Sequence, residues 1–298
     1  MASPQLQTLI DIIRARRRTD NPTIEQLRAG MDMMSANLPL AEGIRAEPVD
    51  AGGVPGEWLD PEGAADGPTI LFLHGGGYVI GSIASHRSWV SRITKASGAR
   101  TLLIDYRLAP EHPFPAAVED ATAVYRWLLA QGVDPTRLAI AGDSAGGGLT
   151  AATLLALRDA GDPLPAAAAL ISPWLDLGCA GESMSSKAEA DPILSQELLQ
   201  GWAAHYLSGA DARAPLASPV YADLAGLPPL LVQVGTAEVL LDDSLRFVER
   251  ARTAGVDVTM EPWDEMPHVW HMFYFILPEG QQAIVRVGGW LGQRIGNG

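Results

Sequence analysis

The sequence predicts an α/β fold: a mostly parallel central sheet with helices on both faces and a small helical cap. Three observations predict it. Short apolar runs of strand length recur along the chain, long helical stretches separate most of them, and Gly- and Pro-containing loops mark the changeovers. Parallel strands are covered on both faces, so they read as continuous apolar runs, and each crossover needs a connecting segment, usually a helix. At 298 residues the chain suits one large domain, or one domain with a smaller appendage.

The elements follow in order. Leu6, Leu9, Ile10 and Ile13 recur at helical spacing and predict an amphipathic helix. A second helix is expected from Thr23, just after Pro22, through Met31, Met33 and Met34. From about Ala46 the pattern changes to short apolar strands. Thr69 to Leu73, Arg100 to Asp105, Arg137 to Ala141 and Leu230 to Val234 read as buried strands, with Ala166 to Ile171 as a fifth. Helical stretches run over Ser88 to Ser97, Pro115 to Ala130, Gly146 to Ala160 and Asp243 to Ala254. Gly181 to Leu207 carries helical periodicity without an obvious strand. The expected division is therefore residues 1–45 as the N-terminal part of a helical cap and 46–298 as the main domain, with 181–207 joining the cap. There is no internal repeat and no low-complexity tract.

Composition narrows the function. With 47% hydrophobic and 19% charged residues the chain looks like an ordinary soluble globular protein. It holds no uninterrupted run of about 18 apolar residues, so no membrane span is expected. Met1 to Arg18 carries its apolar stretch first and four arginines after it. A secretory signal has the opposite order, so a cytoplasmic location is expected. Cys179 is the only cysteine, which excludes an internal disulfide and fits a reducing compartment. It lies outside any strand–turn–helix context and reads as a structural residue, not a nucleophile. The net charge of −14 argues against nucleic acid and against anionic membrane surfaces. The simplest partner is a neutral or weakly polar small molecule.

The strand ending at Ala141 runs into Gly142-Asp143-Ser144-Ala145-Gly146 and then into an alanine-rich helix. This is G-x-S-x-G in a strand–turn–helix setting, which exposes a serine hydroxyl on a sharp turn. Any side chain at Gly142 or Gly146 is expected to clash with neighbouring chain. The helix N-terminus behind the serine offers N–H groups to developing negative charge. The plainer alternative is a glycine-rich turn with a helix-capping serine. Upstream, His74-Gly75-Gly76-Gly77 follows a strand directly, and its glycines let backbone N–H groups turn toward a ligand.

Three segments together resemble the hormone-sensitive-lipase-like (HGGG) family of bacterial esterases, which have the α/β-hydrolase fold. They are His74 to Tyr78, Asp105-Tyr106-Arg107-Leu108-Ala109-Pro110-Glu111, and Gly142 to Gly147. The resemblance runs from about Glu47 onward, and the N-terminal helices are similar to the family's cap. It implies Ser144 as nucleophile, Gly76, Gly77 and Ala145 as the main oxyanion-hole donors, and Gly75 shaping that hole's loop. It implies a structural role for the 105–111 segment. It also implies hydrolysis of short-to-medium acyl esters through an acyl-enzyme, with no cofactor or metal. Asp242-Asp243 lacks the alternating oxygen ligands of a calcium loop.

A serine hydroxyl needs an adjacent base at neutral pH. The α/β-hydrolase order of nucleophile, acid and histidine leaves His268 and His271 as candidates among six histidines. His268 matches the family's position, and His271 falls one helical turn later, where packing is expected. The acid departs from the family pattern: Glu238 stands where an aspartate is expected. A glutamate can accept the base's hydrogen bond if its extra methylene is absorbed. Asp242 is the rival.

Candidate substrate-binding residues are Met31, Met34, Trp202 and Tyr206, with Met33, Leu38, Leu40 and Phe273 as further possibilities; ordinary packing is the alternative for all of them. Two other activities use the same pattern: an amidase with the same three residues, and a receptor that binds without turnover. An edge strand can pair two such chains into a homodimer, but no residue pattern demands it.

Overall fold

The computed structural model describes residues 2–15, 22–62 and 67–296. Arg16, Arg17 and Arg18 of the N-terminal arginine run lie outside the described residues. The strands are β1 (Ile44–Asp50), β2 (Pro55–Pro61), β3 (Thr69–Leu73), β4 (Arg100–Ile104), β5 (Leu138–Asp143), β6 (Ala167–Ile171), β7 (Leu230–Gly235) and β8 (Val258–Trp263). They form one sheet in the order β1-β2-β4-β3-β5-β6-β7-β8. The β1–β2 and β2–β4 pairings are antiparallel, and every pairing from β4 to β8 is parallel.

The helices are α1 (Pro4–Ala15), α2 (Ile24–Ser35), α3 (Ile83–Ser97), α4 (Ala116–Ala130), α5 (Ala145–Ala160), α6 (Ser183–Ser186), α7 (Gln196–Leu207), α8 (Leu241–Thr253) and α9 (Pro278–Ile295). Alternation along each strand divides the core in two. Leu71 and Leu73 of β3 join Leu102 and Ile140 under α4, α5 and α8, through Val124, Leu154 and Phe247. Ile70 and Phe72 face the other way and pack with Ala139 and Ile171 against Trp89, Ile93, Val287 and Leu291 of α3 and α9. This is why β3, β5 and β6 are buried throughout.

There are three differences from the sequence expectation, and the first two have physical causes. Helix α3 begins at Ile83, five residues ahead of the expected Ser88, because Ser82 caps it. Ser82 Oγ accepts from the Ser85 N–H and Ser85 Oγ accepts from the Ser82 N–H, a capping box with serine where Glu or Gln is the usual signal. Strand β8 is an edge with mostly half-buried residues, so it shows no apolar run. Strand β1 starts at Ile44, two residues before the expected boundary at 46.

The N-terminal helices lie against loops that follow the carboxyl ends of strands. Leu6 and Leu9 of α1 are buried with Met266, Trp270, Phe273 and Leu277. Arg28 of α2 donates to the carbonyls of Val79 and Ala109 at 2.8 and 2.9 Å and is paired with Glu111. Residues 181–207 contain α6 and α7, as the helical periodicity indicated. No helix among the described residues is long and apolar enough to cross a membrane.

Candidate active site

Ser144 sits between β5 and α5 with φ 53° and ψ −121°. Such a backbone conformation costs on the order of 1–3 kcal/mol for a residue with a side chain and persists only where surroundings enforce it. The enforcement is visible. The Ser144 N–H donates to Ile171 O at 2.8 Å, and its carbonyl accepts from Trp174 and Gly148 at 2.9 and 3.1 Å. A Cβ on Gly142 would lie 2.3 Å from Gly146 O, and one on Gly146 would lie 2.0 Å from Leu73 O. Both glycines are therefore steric necessities of the turn.

The 74–77 loop is held from below. Tyr106 donates to His74 O at 2.7 Å and its ring stacks on the His74 imidazole at 4.3 Å. The Gly75 N–H donates to Asp143 Oδ1 at 3.0 Å and to His86 Nε2 at 3.2 Å. Gly75 thus shapes the loop and has no free N–H to offer an oxyanion. Gly76 and Gly77 take positive φ, 119° and 63°. No acceptor among the described residues takes the N–H of Gly76, Gly77 or Ala145; Ala145 follows Ser144 as the first residue of α5, and Gly76 and Gly77 lie in the loop after β3, the strand paired with β5. Asp143 and His86 were not singled out from the sequence. Asp143 occupies a variable position inside the motif, and His86 becomes relevant only when α3 folds over the loop.

His268 brings the two halves together. Its Nε2 lies 2.9 Å from Ser144 Oγ and its Nδ1 lies 2.6 Å from Glu238 Oε2. A carboxylate can only accept, so Nδ1 carries the proton and Nε2 is left to accept from the hydroxyl. All three residues are buried. Burial alone works against a charged imidazolium, but the hydrogen bond and charge of Glu238 outweigh it, helped by Asp191 and Asp143. The His268 pKa is therefore raised above the ordinary 6.5. The arrangement can move a proton from a serine hydroxyl to an imidazole beside three unclaimed N–H groups.

The second carboxylate oxygen of Glu238 is also bound. Oε1 accepts from Ser172 Oγ at 2.8 Å and from the Gly235 N–H at 2.6 Å. Asp191, from the 181–207 segment, accepts from the Val239 N–H at 2.9 Å and fixes the backbone beside Glu238. Neither Ser172 nor Asp191 has a local sequence signal, because their partners are tens of residues away.

Other candidates separate from this centre. Asp242 Oδ2 accepts from the Ser183 N–H at 2.8 Å and so anchors α6. Asp243 accepts from the Leu175 and Asp176 N–H groups, and burial pushes its carboxyl up to about 8. His271 Nε2 bonds Gln233 Oε1 at 2.7 Å, and burial pulls its pKa down to about 3, so it packs as a neutral ring. Cys179 is buried, and its thiol is pushed up to about 12 by burial and by Asp243 and Asp176.

Among the expected substrate-binding residues, Trp202 is half-buried and lies directly on the loop: a Cβ on Gly77 would meet its ring at 2.2 Å. Tyr206 is buried, with its ring stacked on Tyr78 at 3.8 Å. Met33 and Met34 of α2 are exposed. Met31 is half-buried against the larger core, and Phe273 is buried with α1.

The described residues contain no group of three His, Cys, Asp or Glu side chains that could hold a metal ion.

Comparison with known proteins places this geometry in a family. A model of the alpha/beta hydrolase fold matches residues 70–272. An acetyl-hydrolase of Streptomyces hygroscopicus is 48% identical over all of this chain and 99% of its own length. The crystal structure of an esterase from the bacterial hormone-sensitive lipase family superimposes with a TM-score of 0.95 at 52% identity, covering 99% of each chain. The esterase EstE5, in crystals soaked with p-nitrophenyl butyrate, superimposes with a TM-score of 0.95 at 50% identity, covering 99% of this chain and 100% of that one. On the strength of this similarity along its whole length, the chain belongs to the α/β-hydrolase fold family and, within it, to the bacterial hormone-sensitive-lipase esterases.

Proposed function

We propose that this serine carboxylesterase hydrolyses small carboxylic esters through an acyl-enzyme formed on Ser144. As His268 Nε2 takes the hydroxyl proton, Oγ attacks the ester carbonyl carbon. The charge that develops on the carbonyl oxygen is met by the N–H groups of Gly76, Gly77 and Ala145. One such donor typically lowers the barrier by about 3 kcal/mol. The imidazolium, stabilised by Glu238, returns the proton to the leaving alkoxide. Water then repeats the sequence on the acyl-enzyme and releases the acid. The observation that carries this reading is the Glu238–His268–Ser144 relay, with bonds of 2.6 and 2.9 Å, together with three N–H groups that no acceptor among the described residues takes.

Short-to-medium acyl chains are the favoured substrates. Trp202 packs over Gly77, one of the proposed oxyanion donors, and the similar esterase EstE5 was soaked with a four-carbon acyl ester. The helical N-terminus and residues 181–207 act as the cap over this space, and α1, packed on the loop of His268, supports that division. The single, unreactive cysteine suits a cytoplasmic setting. The outer edge of β8 offers backbone groups through which a second copy can pair.

Two measurements test the reading. An organophosphate should label Ser144 stoichiometrically in the folded protein; absence of labelling sinks it in favour of a receptor. A series of p-nitrophenyl esters should show best turnover at short to medium chains, and an optimum beyond about ten carbons would overturn the substrate class. A p-nitroanilide series run in parallel should be hydrolysed far more slowly.

A further inference from the structure

Ser172 follows the last residue of β6 and takes φ 45°, in the left-handed region that side chains rarely adopt. Its N–H is fixed to Gln233 O at 2.7 Å. This places its hydroxyl, wholly buried, between the acid and the base of the proposed site. Oγ lies 2.8 Å from Glu238 Oε1 and 3.2 Å from the N–H of Val269, the residue after His268. The Val269 amide can only donate and the carboxylate can only accept, so the serine proton must point at Glu238. One hydroxyl thus ties the carboxylate to the peptide that carries the imidazole.

A glutamate's terminal torsion is broad, and an unanchored carboxylate would swing among several orientations. Two donors on Oε1, Ser172 Oγ and the Gly235 N–H, leave Oε2 as the oxygen that faces His268 Nδ1. Gly235 lies three residues before Glu238, so the longer side chain folds back over the end of its own strand. An aspartate, one methylene shorter, has less reach to be held at the same three points.

We propose that Ser172 is the positioning residue for the acid of this esterase. It holds Glu238 in the orientation that orients and charges His268, and with Gly235 forms a socket fitted to glutamate. The inference rests on the ester-hydrolase reading of the site. Ser172 acts through Glu238 and does not touch the substrate.

The test is a double-mutant cycle on p-nitrophenyl butyrate hydrolysis, with Ser172→Ala and Ser172→Gly each made alone and with Glu238→Gln. Glycine is unstrained at positive φ, so it isolates loss of the hydroxyl from backbone effects. With wild-type Glu238, each Ser172 variant should lose about 10- to 100-fold in kcat, the scale on which outer partners of site groups act, with KM little changed. The acid limb of the pH profile should move to lower pH, because His268 loses part of the interaction that raises its pKa. With Glu238→Gln in place, removing Ser172 should cost less than about threefold, and the pH profile should not move further. Equal losses in both backgrounds would overturn the proposal, as would an unmoved pH profile or failure of both Ser172 variants to fold. Organophosphate labelling of the wild type separates the two readings: without it the esterase reading fails, and with it an additive cycle removes only the role of Ser172.

Discussion

At Ser144 and the 74–77 loop, geometry is carried by the backbone. Gly142, Gly146, Gly76 and Gly77 allow turns and approaches that any side chain would block, and the groups proposed to meet the substrate are peptide N–H groups beside one hydroxyl. At Glu238 and His268, geometry is carried by side chains drawn from three distant parts of the chain. Ser172 comes from the end of β6, Asp191 from the segment between α6 and α7, and Glu238 from beyond β7. The first half is a local steric construction, legible as a motif of few residues. The second is a tertiary one, in which each polar group is placed by a partner far away in sequence. The difference implies that substitutions in the first half act by distortion and in the second by loss of orientation.

The largest expected effect is on the group both halves share. Ser144→Ala should lower kcat by about 10⁶-fold while leaving thermal unfolding near that of the wild type. Activity within a hundredfold of the wild type would mean that another residue is the nucleophile.

Next is Glu238→Gln, which keeps size but favours the wrong imidazole tautomer, and should lower kcat by about 10⁴-fold. Its pH profile sharpens the comparison. In the wild type the base must be neutral, and the His268 pKa is raised, so kcat/KM should fall as pH drops through a value above 6.5. Removing the carboxylate charge should move that fall to lower pH. A movement to higher pH would break the assignment of Glu238 as the partner of His268.

The steric half is tested by Gly77→Ala. The new Cβ would lie 2.2 Å from the Trp202 ring and at φ 63°, so loop and ring must shift apart. The expected loss is about 10²- to 10³-fold in kcat, as for a misplaced oxyanion donor. Trp202→Ala in the same chain should restore part of it, because it removes the clash but not the backbone strain. No restoration would show that the backbone conformation alone sets the loss.

The smallest effect is expected at Asp242→Ala. It removes the acceptor of the Ser183 N–H and should destabilise the protein by about 1 kcal/mol in urea unfolding. Turnover should stay within a few-fold of the wild type. Loss of most activity there, with Glu238→Ala nearly silent, would reverse the two roles.

The same contrast explains which features could be read from the sequence. Buried strands such as β3 and β5 were visible as apolar runs because both faces are covered, whereas edge strand β8 was not. Helix α5 was marked by the glycine-rich turn before it. The start of α3 was hidden because its capping box uses Ser85 in place of Glu or Gln. Trp202 and Tyr206 looked alike as aromatic residues of one helix segment, yet one lies over Gly77 and the other stacks beneath the loop. Spacing of four residues on a helix fixes a shared face, not what that face meets.

By itself the sequence determined the alternating α/β order, the turn that presents Ser144, the glycine loop and the position of His268. Each follows from local sterics or from chain order within the fold. Tertiary structure alone decided that Gly75 donates inward to Asp143 and that Asp242 binds the backbone at the start of α6. It also decided that Glu238 reaches His268 with its other oxygen fixed by Ser172. Those outcomes depend on which polar groups are buried face to face, and a buried donor or acceptor takes whatever partner the fold brings within about 3 Å.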